Sequence, residues 1–534
     1  MDGSAVDVRF TVQLSEALTD DADINLTASA SALALYNSDN GTSYAMIPAG
    51  SYSFKAGSSA ANPKVTIASG STSVEVTLDI DNFEPESYNA AYLLPICISA
   101  ATYGDKTIAK SASPYYVVVQ FDLPKPPFVH PTSGRIPVLR ISTGAGSYNA
   151  NTIKKDYHIP ATMTIEDPDR LYSSIALETV ETEIKGRGNT TWGFDKKPYK
   201  LKLGKKKNLL GMSHSKHFVL LANHNDKTLL RNNVAFKLSE VAGMMWAPRW
   251  VPVEVYIDNS FRGQYMLTEH VRAAEDRIEV DIAEAGEVEG GYLFCIDYKE
   301  QDQGTPGWLQ LPKDSDGNNR MYFAFTEPED PTSGQIAWAK NYVGRVQTEI
   351  NKATTTSVGY CDALAGLIDV SSFIQYFFVQ EITKNVDGNM RLSTPVALPR
   401  GGKLFFPCVW DFDLALGGSS YHSGEQAGAN GTYSGWYVRN SKWLRVMFKN
   451  DEFCNRVKAE WIELYPKLAA LETEVRAWAA LIDDAQKRNF TSSLWGTVNY
   501  ANEVNNMLKF YIDRVGWMNT EINAGRHKYT GTLN

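Results

Sequence analysis

The chain has 534 residues, 43% of them hydrophobic and 21% charged, which is too long for one compact core and predicts two or more folded domains. The formal net charge of -9 and the pI of about 5.5 exclude the general basic field of a nucleic-acid-binding protein, so we expect no nucleic-acid partner. No apolar run approaches the ~20 residues of a membrane helix, and the five cysteines include no CxxC pair, so we expect neither a transmembrane segment nor a zinc site.

The first residues, MDGSAVDVRFTVQLS, lack a charged region followed by an apolar stretch. We therefore expect no signal peptide in this chain. A mature form from which a targeting segment has been removed fits the same sequence.

Residues 1–121 have the pattern of an all-β domain. Val8, Phe10 and Val12 alternate with polar residues, and Val74 and Val76 do the same in a later segment. A period of two marks half-buried strands, and the intervening clusters of Ser, Gly, Asn and Asp are turn material. Short strands with frequent turns predict a β-sandwich of immunoglobulin type, for which we expect a spacer or adhesion role.

A proline-rich linker is predicted at residues 122–134, where DLPKPPFVHPTSG resists both helix and sheet. Residues 135–534 then mix strand and helix patterns and predict an α+β domain. Within it, residues 226–243 and 369–388 have helical spacing, and residues 251–271 predict a hairpin turning at Asp258-Asn259. Residues 403–418 predict a strand that runs into a loop, and residues 441–524 predict a helical tail.

The stretch IKGRGNTTWGFDKKPYKLKL, residues 184–203, combines a glycine-rich turn with a lysine-bearing strand. Glycines allow a backbone to approach a bound anion closely, and Lys200 and Lys202 share one face of the predicted strand. The pattern is neither a Walker A loop nor GxGxxG. A phosphate cradle and a plain hairpin with solvated lysines both fit it.

Three carboxylates are candidates for catalysis or metal binding. Asp387 follows an apolar helix, where it fits either a helix-end cap or a general base. Asp411 and Asp413 lie two residues apart at the end of the predicted strand, so we expect both to point the same way. Two carboxylate ligands suit Mg²⁺, although a turn cap also explains a D-x-D pair.

Glu269 follows the apolar strand segment YML in YMLTEHV. A glutamate there fits a partner for a phosphate-binding lysine, as in protein kinases, and equally an exposed salt bridge.

Taken together, the second domain resembles the spore coat protein H kinase family, an atypical protein-kinase-like group. Six segments carry the resemblance in the family's order and spacing over roughly residues 135–524: IKGRGNTTWGFDKKPYKLKL, LLANHNDKTLLRNNVAFKLSEVAG, GQYMLTEHV, GGYLFCID, EITKNVDG and VWDFDLALGG. Residues 1–121 are similar to immunoglobulin-like modules of surface lipoproteins from Gram-negative anaerobes. This second resemblance implies a location at the cell surface or in the periplasm, with a lipid anchor as one option for the full-length form.

The kinase resemblance implies an enzyme that uses ATP and Mg²⁺ to phosphorylate a protein hydroxyl. It implies that Asp387 is the catalytic base, that Asp411 binds the metal with Asp413 beside it, and that Glu269 pairs with a lysine. The turn formed by Gly186, Arg187, Gly188 and Asn189 would cover the phosphates, and a lysine among Lys197, Lys200 and Lys202 would hold them.

Two other functions remain open on the sequence. A surface-anchored binding protein would hold a glycan or a partner protein on the same scaffold, through loops such as SSYHSGEQAGANGTYSGWY, residues 419–437. A glycosyltransferase would use Asp411 and Asp413 for metal and nucleotide-sugar, but the order of the predicted elements does not suggest a nucleotide-sugar fold.

Overall fold

The computed structural model describes residues 6–40, 42, 44–55, 63–80, 91–111, 113–120, 128–144, 152–310, 321–418 and 432–531. The chain divides into two compact units, Met1–Pro127 and Phe128–Asn534. The first half of the predicted linker, up to residue 127, lies outside the described residues. Phe128, at the start of the second half, packs against the core of the second unit. No helix in the described ranges is both long enough and apolar enough to cross a bilayer.

The first unit is built mainly from antiparallel strands. Its strands are β1 (Val6–Gln13), β2 (Ala22–Ala28), β3 (Ala45–Met46), β4 (Tyr52–Phe54), β5 (Lys64–Ile67), β6 (Ser73–Ile80), β7 (Ala91–Tyr103), β8 (Lys106–Thr107) and β9 (Tyr115–Gln120). They form a three-stranded sheet, β1-β6-β4, and a six-stranded sheet with the order β3-β7-β2-β5, in which β8 and β9 also pair with β7. The unit also contains helix α1 (Ala30–Asn40), which buries none of its residues. The all-β pattern predicted for residues 1–121 did not include this helix.

The alternation in the sequence explains the core of this unit. Phe10 and Val12 in β1 pair with Val76 and Val74 in β6. Phe10, Val12 and Val76 are buried, whereas the polar residues between them face solvent. Because successive side chains of a strand point to opposite faces, this period of two buries one face of the sheet.

The second unit begins with a closed seven-stranded barrel. Its strands are β10 (Val138–Ser142), β11 (Ile159–Glu166), β12 (Leu177–Gly186), β13 (Tyr199–Asn208), β14 (His214–Leu221), β15 (Trp250–Ile257) and β16 (Ser260–Glu269). The strand order is β10-β11-β12-β13-β14-β16-β15, and the barrel closes through a parallel pairing of β10 with β15. Of these strands the sequence predicts the lysine-bearing β13 and the β15–β16 hairpin, and it does not predict the closure into a barrel.

Two hairpins of the barrel match the sequence predictions. Strands β15 and β16 turn at Asp258 and Asn259, whose φ angles of 48° and 64° are typical of a type I′ turn. Strands β12 and β13 pair antiparallel, with Gly186 opposite Tyr199. Tyr199, Leu201 and Leu203 are buried in the barrel core, as the alternation in the sequence predicts.

A four-stranded sheet and a helical region complete the second unit. The strand order of the sheet is β18-β19-β17-β20. Its strands are β17 (Tyr292–Ile296), β18 (Gly307–Gln310), β19 (Met321–Glu327) and β20 (Thr394–Leu398). The helices are α2 (Arg231–Val241), α3 (Tyr298–Asp302), α4 (Ser333–Ile350), α5 (Tyr360–Ala365), α6 (Val370–Thr383), α7 (Lys442–Met447), α8 (Asp451–Leu464), α9 (Leu471–Leu481), α10 (Asp483–Asn489) and α11 (Tyr500–Asn523). The predicted helical tail is thus confirmed.

Helix α6 is the buried helix that leads to the candidate base. The Asp369 side chain accepts a hydrogen bond from the Ser372 N–H at 3.2 Å and so caps the start of the helix. The helix ends at Lys384, whose φ of 45° is left-handed. It therefore stops before Gly388, the predicted end, and residues 385–388 form a separate turn region.

The strand predicted within residues 403–418 is wrong. Leu404 and Phe405 form only isolated bridges, to Ile368 and Ala397, and the following residues are not in a strand. Pro407 has no N–H to donate to a sheet, and Asp411 has a left-handed φ of 71°. The strand alternation from which a common direction for Asp411 and Asp413 was inferred therefore does not apply.

Candidate functional site

A cavity of about 550 Å³ lies in the second unit. Its lining comes from the loop after β12, the segment after β14, the β17–α3 region, and residues 386–395 and 410–414. A second cavity of about 420 Å³ shares Arg187, His270 and Glu300 with the first, among other lining residues. We call these two adjoining cavities the cleft. The cleft brings residues from the barrel together with residues that lie some 200 positions later in the chain.

The glycine-rich turn lies at the cleft. Arg187, Gly188 and Asn189 line the larger cavity, and Gly186 lines the smaller one. A Cβ on Gly186 would lie 2.3 Å from the ring of Trp192. Gly188 has a φ of +85°, and a Cβ there would lie 2.1 Å from Oγ1 of Thr191. Both positions therefore require glycine.

Two lysines fix the loop that follows the turn. Lys197 donates from Nζ to the carbonyl oxygens of Trp192, at 2.7 Å, and Phe194, at 3.0 Å, so it does not line the cleft. Lys196, which the sequence did not single out, is buried and donates to the carbonyl of Gln264 at 2.6 Å and to Oδ1 of Asn489 at 2.9 Å. Their ammonium groups satisfy backbone and amide oxygens within the protein.

Lys200 and Lys202 share one face of β13 but lie in different surroundings. Lys200 lines the smaller cavity, where burial, followed by the charges of Arg272 and Lys185, lowers its pKa to about 8. Lys202 forms an ion pair with Glu183 at 3.1 Å and lines a separate surface cavity. Among the three lysines proposed from the sequence, only Lys200 reaches the cleft.

Glu269 lies at the end of β16, outside the cleft lining. Its carboxylate accepts hydrogen bonds from the N–H of Ser213 at 2.6 Å and of Arg249 at 3.0 Å. The Arg249 guanidinium lies 3.8 Å away. Within the described residues Glu269 has an arginine partner and no lysine partner. The next residue, His270, lines both cavities, and burial lowers its pKa well below the usual value.

Asp387 lines the larger cavity in the turn region after α6. Its N–H donates to Oδ1 of Asn385 at 3.3 Å. Burial and, next, the charge of Asp411 raise the pKa of Asp387 to about 7. A carboxyl group that titrates near neutral pH is suited to accept a proton from a hydroxyl.

Asp411 and Asp413 line the same cavity as Asp387. Asp411 is held by two neighbours: Ser393 donates from Oγ to its Oδ2 at 2.9 Å, and Asn385 donates from Nδ2 to its carbonyl oxygen at 3.1 Å. Burial and the charges of Asp411 and Asp226 raise the pKa of Asp413. A left-handed φ at Asp411, which is unfavourable for a residue with a Cβ, is thus maintained by specific contacts.

Asparagines that the sequence analysis did not select position the segment around Asp411. Asn232 of α2 accepts from the N–H of Phe412 at 2.8 Å and donates to Oδ1 of Asn223 at 3.1 Å. Nearby, the buried pair of Arg231 and Asp226 is joined to the same segment, because Arg231 donates from Nε to the carbonyl of Ala415 at 2.9 Å. The feature of the sequence that could have identified these positioning residues is the polar run at the start of an otherwise apolar helix.

Comparison with known families decides the classification. A family model described as CotH kinase protein matches residues 184–518, well over half of the chain. The chain belongs to the CotH kinase protein family. A second model, for an N-terminal domain, matches residues 1–104. The matched CotH region contains every candidate site residue discussed above.

Solved structures give only remote likenesses to this CotH chain. EndoBT-3987 from Bacteroides thetaiotamicron, with a Man5GlcNAc product, is 16% identical with a TM-score of 0.18, over 23% of this chain and 27% of that one. A structure from Bacteroides ovatus whose name describes a carbohydrate binding protein is 11% identical with a TM-score of 0.18, over 38% and 62% of the two chains. A two-domain protein from Bacteroides fragilis is 11% identical with a TM-score of 0.17, over 30% and 55%.

The chain thus spans between 27% and 62% of the length of these three structures. Likenesses at this level do not establish a shared fold. The search of curated proteins returned no match.

The residues of the cleft fit the nucleotide and metal that the CotH kinase family implies. Asp411 and Asp413 line the same cavity as Arg187, and Lys200 lines the adjoining one. In the described ranges no group of three or more His, Cys, Asp or Glu residues forms a metal site. Magnesium in phosphoryl-transfer enzymes typically takes only one or two carboxylates and completes its shell with phosphates and water. The donor set therefore suits a metal that arrives with a nucleotide.

Proposed function

We propose that the second unit is an atypical protein kinase that transfers the γ-phosphoryl group of ATP to a Ser or Thr hydroxyl of a protein. One observation carries the proposal: in a chain of the CotH kinase family, cationic side chains and carboxylates line one cleft. Phosphoryl transfer depends mainly on positioning and charge neutralisation, and both kinds of group are needed for it.

In this proposal the residues of the barrel hold the phosphates. The backbone of Gly186, Gly188 and Asn189 approaches the phosphates closely because neither glycine carries a Cβ. Lys200 supplies a positive charge from the smaller cavity, and Arg187 lies between the two cavities, above the ring of Trp410 at 5.7 Å. Lys197, Lys202 and Glu269 stabilise the loop and the barrel rather than contact the nucleotide.

The carboxylates complete the site. Asp411, oriented by Ser393 and Asn385, would hold Mg²⁺, with Asp413 beside it. When bound, the metal neutralises phosphate charge and aligns the reacting phosphoryl group. Asp387 accepts the proton of the acceptor hydroxyl as the acceptor oxygen bonds to the γ-phosphorus. The bond from that phosphorus to the β–γ bridging oxygen breaks, and ADP leaves.

The finer assignments of fold and location belong to the same proposal. Two β-sheets around one apolar core support an immunoglobulin-like sandwich for the first unit. A barrel followed by a helical region that together line one cleft supports a kinase-like arrangement for the second. We place the protein at the cell surface or in the periplasm, as residues 1–121 lead us to expect.

The test is radiolabel transfer from ATP with Mg²⁺ onto the protein itself and onto Ser-containing peptides. We expect transfer by the wild type and at least a ~100-fold loss in Asp387→Asn, since general-base catalysis contributes about that much. Asp362→Asn on α5, an exposed carboxylate outside the cleft, is the matched control. Equal labelling by the wild type and Asp387→Asn would contradict the proposal. Nucleotide binding without transfer would favour a non-catalytic binding protein instead.

A further inference from the structure

Two lysines lie directly opposite each other on neighbouring strands of the barrel. In the antiparallel pairing of β12 with β13, Lys185 is the partner of Lys200. Residues in directly opposite positions have Cβ atoms about 4.5–5.5 Å apart, and like charges there are destabilising. Both lysines are half-buried, and both line the smaller cavity of the cleft. The barrel therefore keeps an unfavourable pair of like charges at the cleft.

The neighbouring pair on the same face of these two strands is compensated. Glu183 on β12 lies opposite Lys202 on β13, and their side chains form an ion pair at 3.1 Å. Both residues line the separate surface cavity and neither lines the cleft. The same two strands thus place opposite charges together away from the cleft and like charges together where they line it.

The opposed lysines have no protein partner that balances their charge. Among the residues that the structure describes, neither ammonium lies within ion-pair distance of a carboxylate or donates a hydrogen bond. Glu300 is the carboxylate among the described lining residues of the smaller cavity, and it accepts a hydrogen bond from Oγ1 of Thr305 at 2.6 Å. Four positive side chains line this cavity: Lys155, Lys185, Arg187 and Lys200. The smaller cavity is therefore a favourable place for an anion.

The titration of Lys200 reflects the same surroundings. Burial, followed by the charges of Arg272 and Lys185, lowers its pKa to about 8, and the charge of Glu329 acts in the opposite direction. An anion between the two opposed ammonium groups would offset both the burial and the repulsion.

We propose that Lys185 and Lys200 form a clamp for the phosphate chain of the nucleotide, so that Lys185 is a second phosphate-binding lysine. The inference rests on the proposed kinase function and adds a residue to its site. Two ammonium groups, each with three donors, suit a ligand that carries several charged oxygens. Arg187 lines both cavities, so phosphates held by the two lysines can extend past Arg187 into the cavity that Asp411 lines.

The test measures affinity and stability in the same variants, because the clamp predicts opposite changes in the two. Lys185→Gln should weaken the binding of an ATP analogue with Mg²⁺ by at least about tenfold, since a charged contact to phosphate is lost. The same change should raise the urea midpoint of the free protein, because it removes one of two opposed like charges. Calorimetric titration and urea unfolding give the two quantities.

Lys185→Glu extends the comparison. It places a carboxylate opposite Lys200, as Glu183 lies opposite Lys202. We expect a larger loss of affinity than for Lys185→Gln and a further rise of the midpoint. Lys202→Gln is the matched control on the same face of β13, outside the cleft. It should leave the affinity unchanged and should not raise the midpoint, because it removes a favourable pair.

Tripolyphosphate and adenosine identify the part of the nucleotide that the clamp holds. Lys185→Gln should weaken the binding of tripolyphosphate as it weakens that of the ATP analogue, and it should not change the binding of adenosine. An ATP analogue that binds the wild type no better than tripolyphosphate does would contradict the assignment to a nucleotide.

The outcomes separate the clamp from the kinase function. If Lys185→Gln keeps the wild-type affinity while the wild type transfers phosphate, the clamp is wrong and the kinase function stands. A fall in both affinity and midpoint would show that Lys185 is needed for folding and would also contradict the clamp. Weaker binding with a higher midpoint, in a wild type that transfers no phosphate, would support the clamp and contradict the kinase function. If the wild type binds neither phosphate ligand, both proposals fail.

Discussion

The side-chain amide of Asn385 donates to the backbone carbonyl of Asp411 at 3.1 Å. The same amide, through Oδ1, accepts the N–H of Asp387 at 3.3 Å. One asparagine therefore joins the proposed base to the proposed metal-binding segment, although 24 residues separate Asp387 from Asp411. A left-handed φ of 71° at Asp411 makes this support important, because a residue with a Cβ adopts that conformation only at a cost in free energy.

We predict that Asn385→Ala lowers kcat about 10- to 100-fold, because displacement of catalytic groups by about 1 Å has that effect. The KM for ATP should change less, since the residues on the glycine-rich turn are untouched. Steady-state kinetics of the variant measure both parameters. Asn341→Ala, an exposed asparagine on α4, is the control. A rise in KM with unchanged kcat would contradict a positioning role.

Lys200→Met should weaken nucleotide binding by at least about tenfold, because a charged hydrogen bond or ion contact to phosphate is lost. Lys202→Met should change it little, because Lys202 pairs with Glu183 outside the cleft. Calorimetric titration with an ATP analogue and Mg²⁺ measures both affinities. The two lysines lie on one face of one strand, so a difference between the variants depends on the tertiary position of each lysine. Equal losses would remove Lys200 from its assigned role.

Arg514→Met should destabilise the second unit by about 3–5 kcal/mol, the usual consequence of leaving one member of a buried ion pair uncompensated. Arg514 and Glu381 are both fully buried, and Arg514 also donates to the carbonyls of Tyr433 and Gly435. Lys509→Met breaks an exposed pair with Asp513 on the same helix, α11, and should have little effect. Chemical unfolding followed by tryptophan fluorescence measures both. A small loss for Arg514→Met would show that water replaces the pair.

The free energy of unfolding of the second unit should fall as the pH is lowered from 6.5 toward 3, because the pKa of His130 is depressed in the folded state. Burial and, next, the charge of Lys237 lower the pKa of His130 from 6.5 to about 3. The ring stacks on Trp250 with a centroid distance of 3.7 Å and meets the edge of Trp478, and Nδ1 lies 3.2 Å from the Tyr172 hydroxyl. The unfolded chain binds a proton below pH 6.5 that the folded state does not, so stability is complete above pH 6.5 and falls toward pH 3.

His130→Phe keeps an aromatic ring at this position but removes the imidazole that binds the proton in the unfolded chain. Between pH 7.5 and pH 4.5 the variant should lose about 2–3 kcal/mol less stability than the wild type, the amount that the depressed pKa implies. Denaturant titrations at the two pH values give the comparison. The same loss in both proteins would show that His130 is protonated in the folded state.

Local features of this fold follow directly from the sequence. The alternation of Tyr199, Leu201 and Leu203 with lysines places the three apolar side chains in the barrel core. Asp258 and Asn259 tolerate left-handed φ and so form the turn of the β15–β16 hairpin. These features depend on contacts within a few residues, and residue order alone specifies them.

The strand predicted within residues 403–418 is wrong because burial alone does not make a strand. Its apolar residues are buried, as in a strand, but Phe406 and Val409 pack into the core without pairing to another strand. Burial without pairing produces the same apolar run as a central strand does. Hydrophobic pattern cannot separate the two cases.

The sequence by itself determined the strand faces, the hairpin turn, the family and the residue types from which a phosphoryl-transfer site can be built. Only the tertiary structure decided that Lys200 reaches the cleft while Lys202 does not, that Glu269 binds Arg249, and that Asp387, Asp411 and Asp413 line one cavity. The physical reason is separation along the chain. Periodicity and turn chemistry depend on residues that are near neighbours in sequence. The surroundings of a charged side chain depend instead on which distant segments the packed core brings against it.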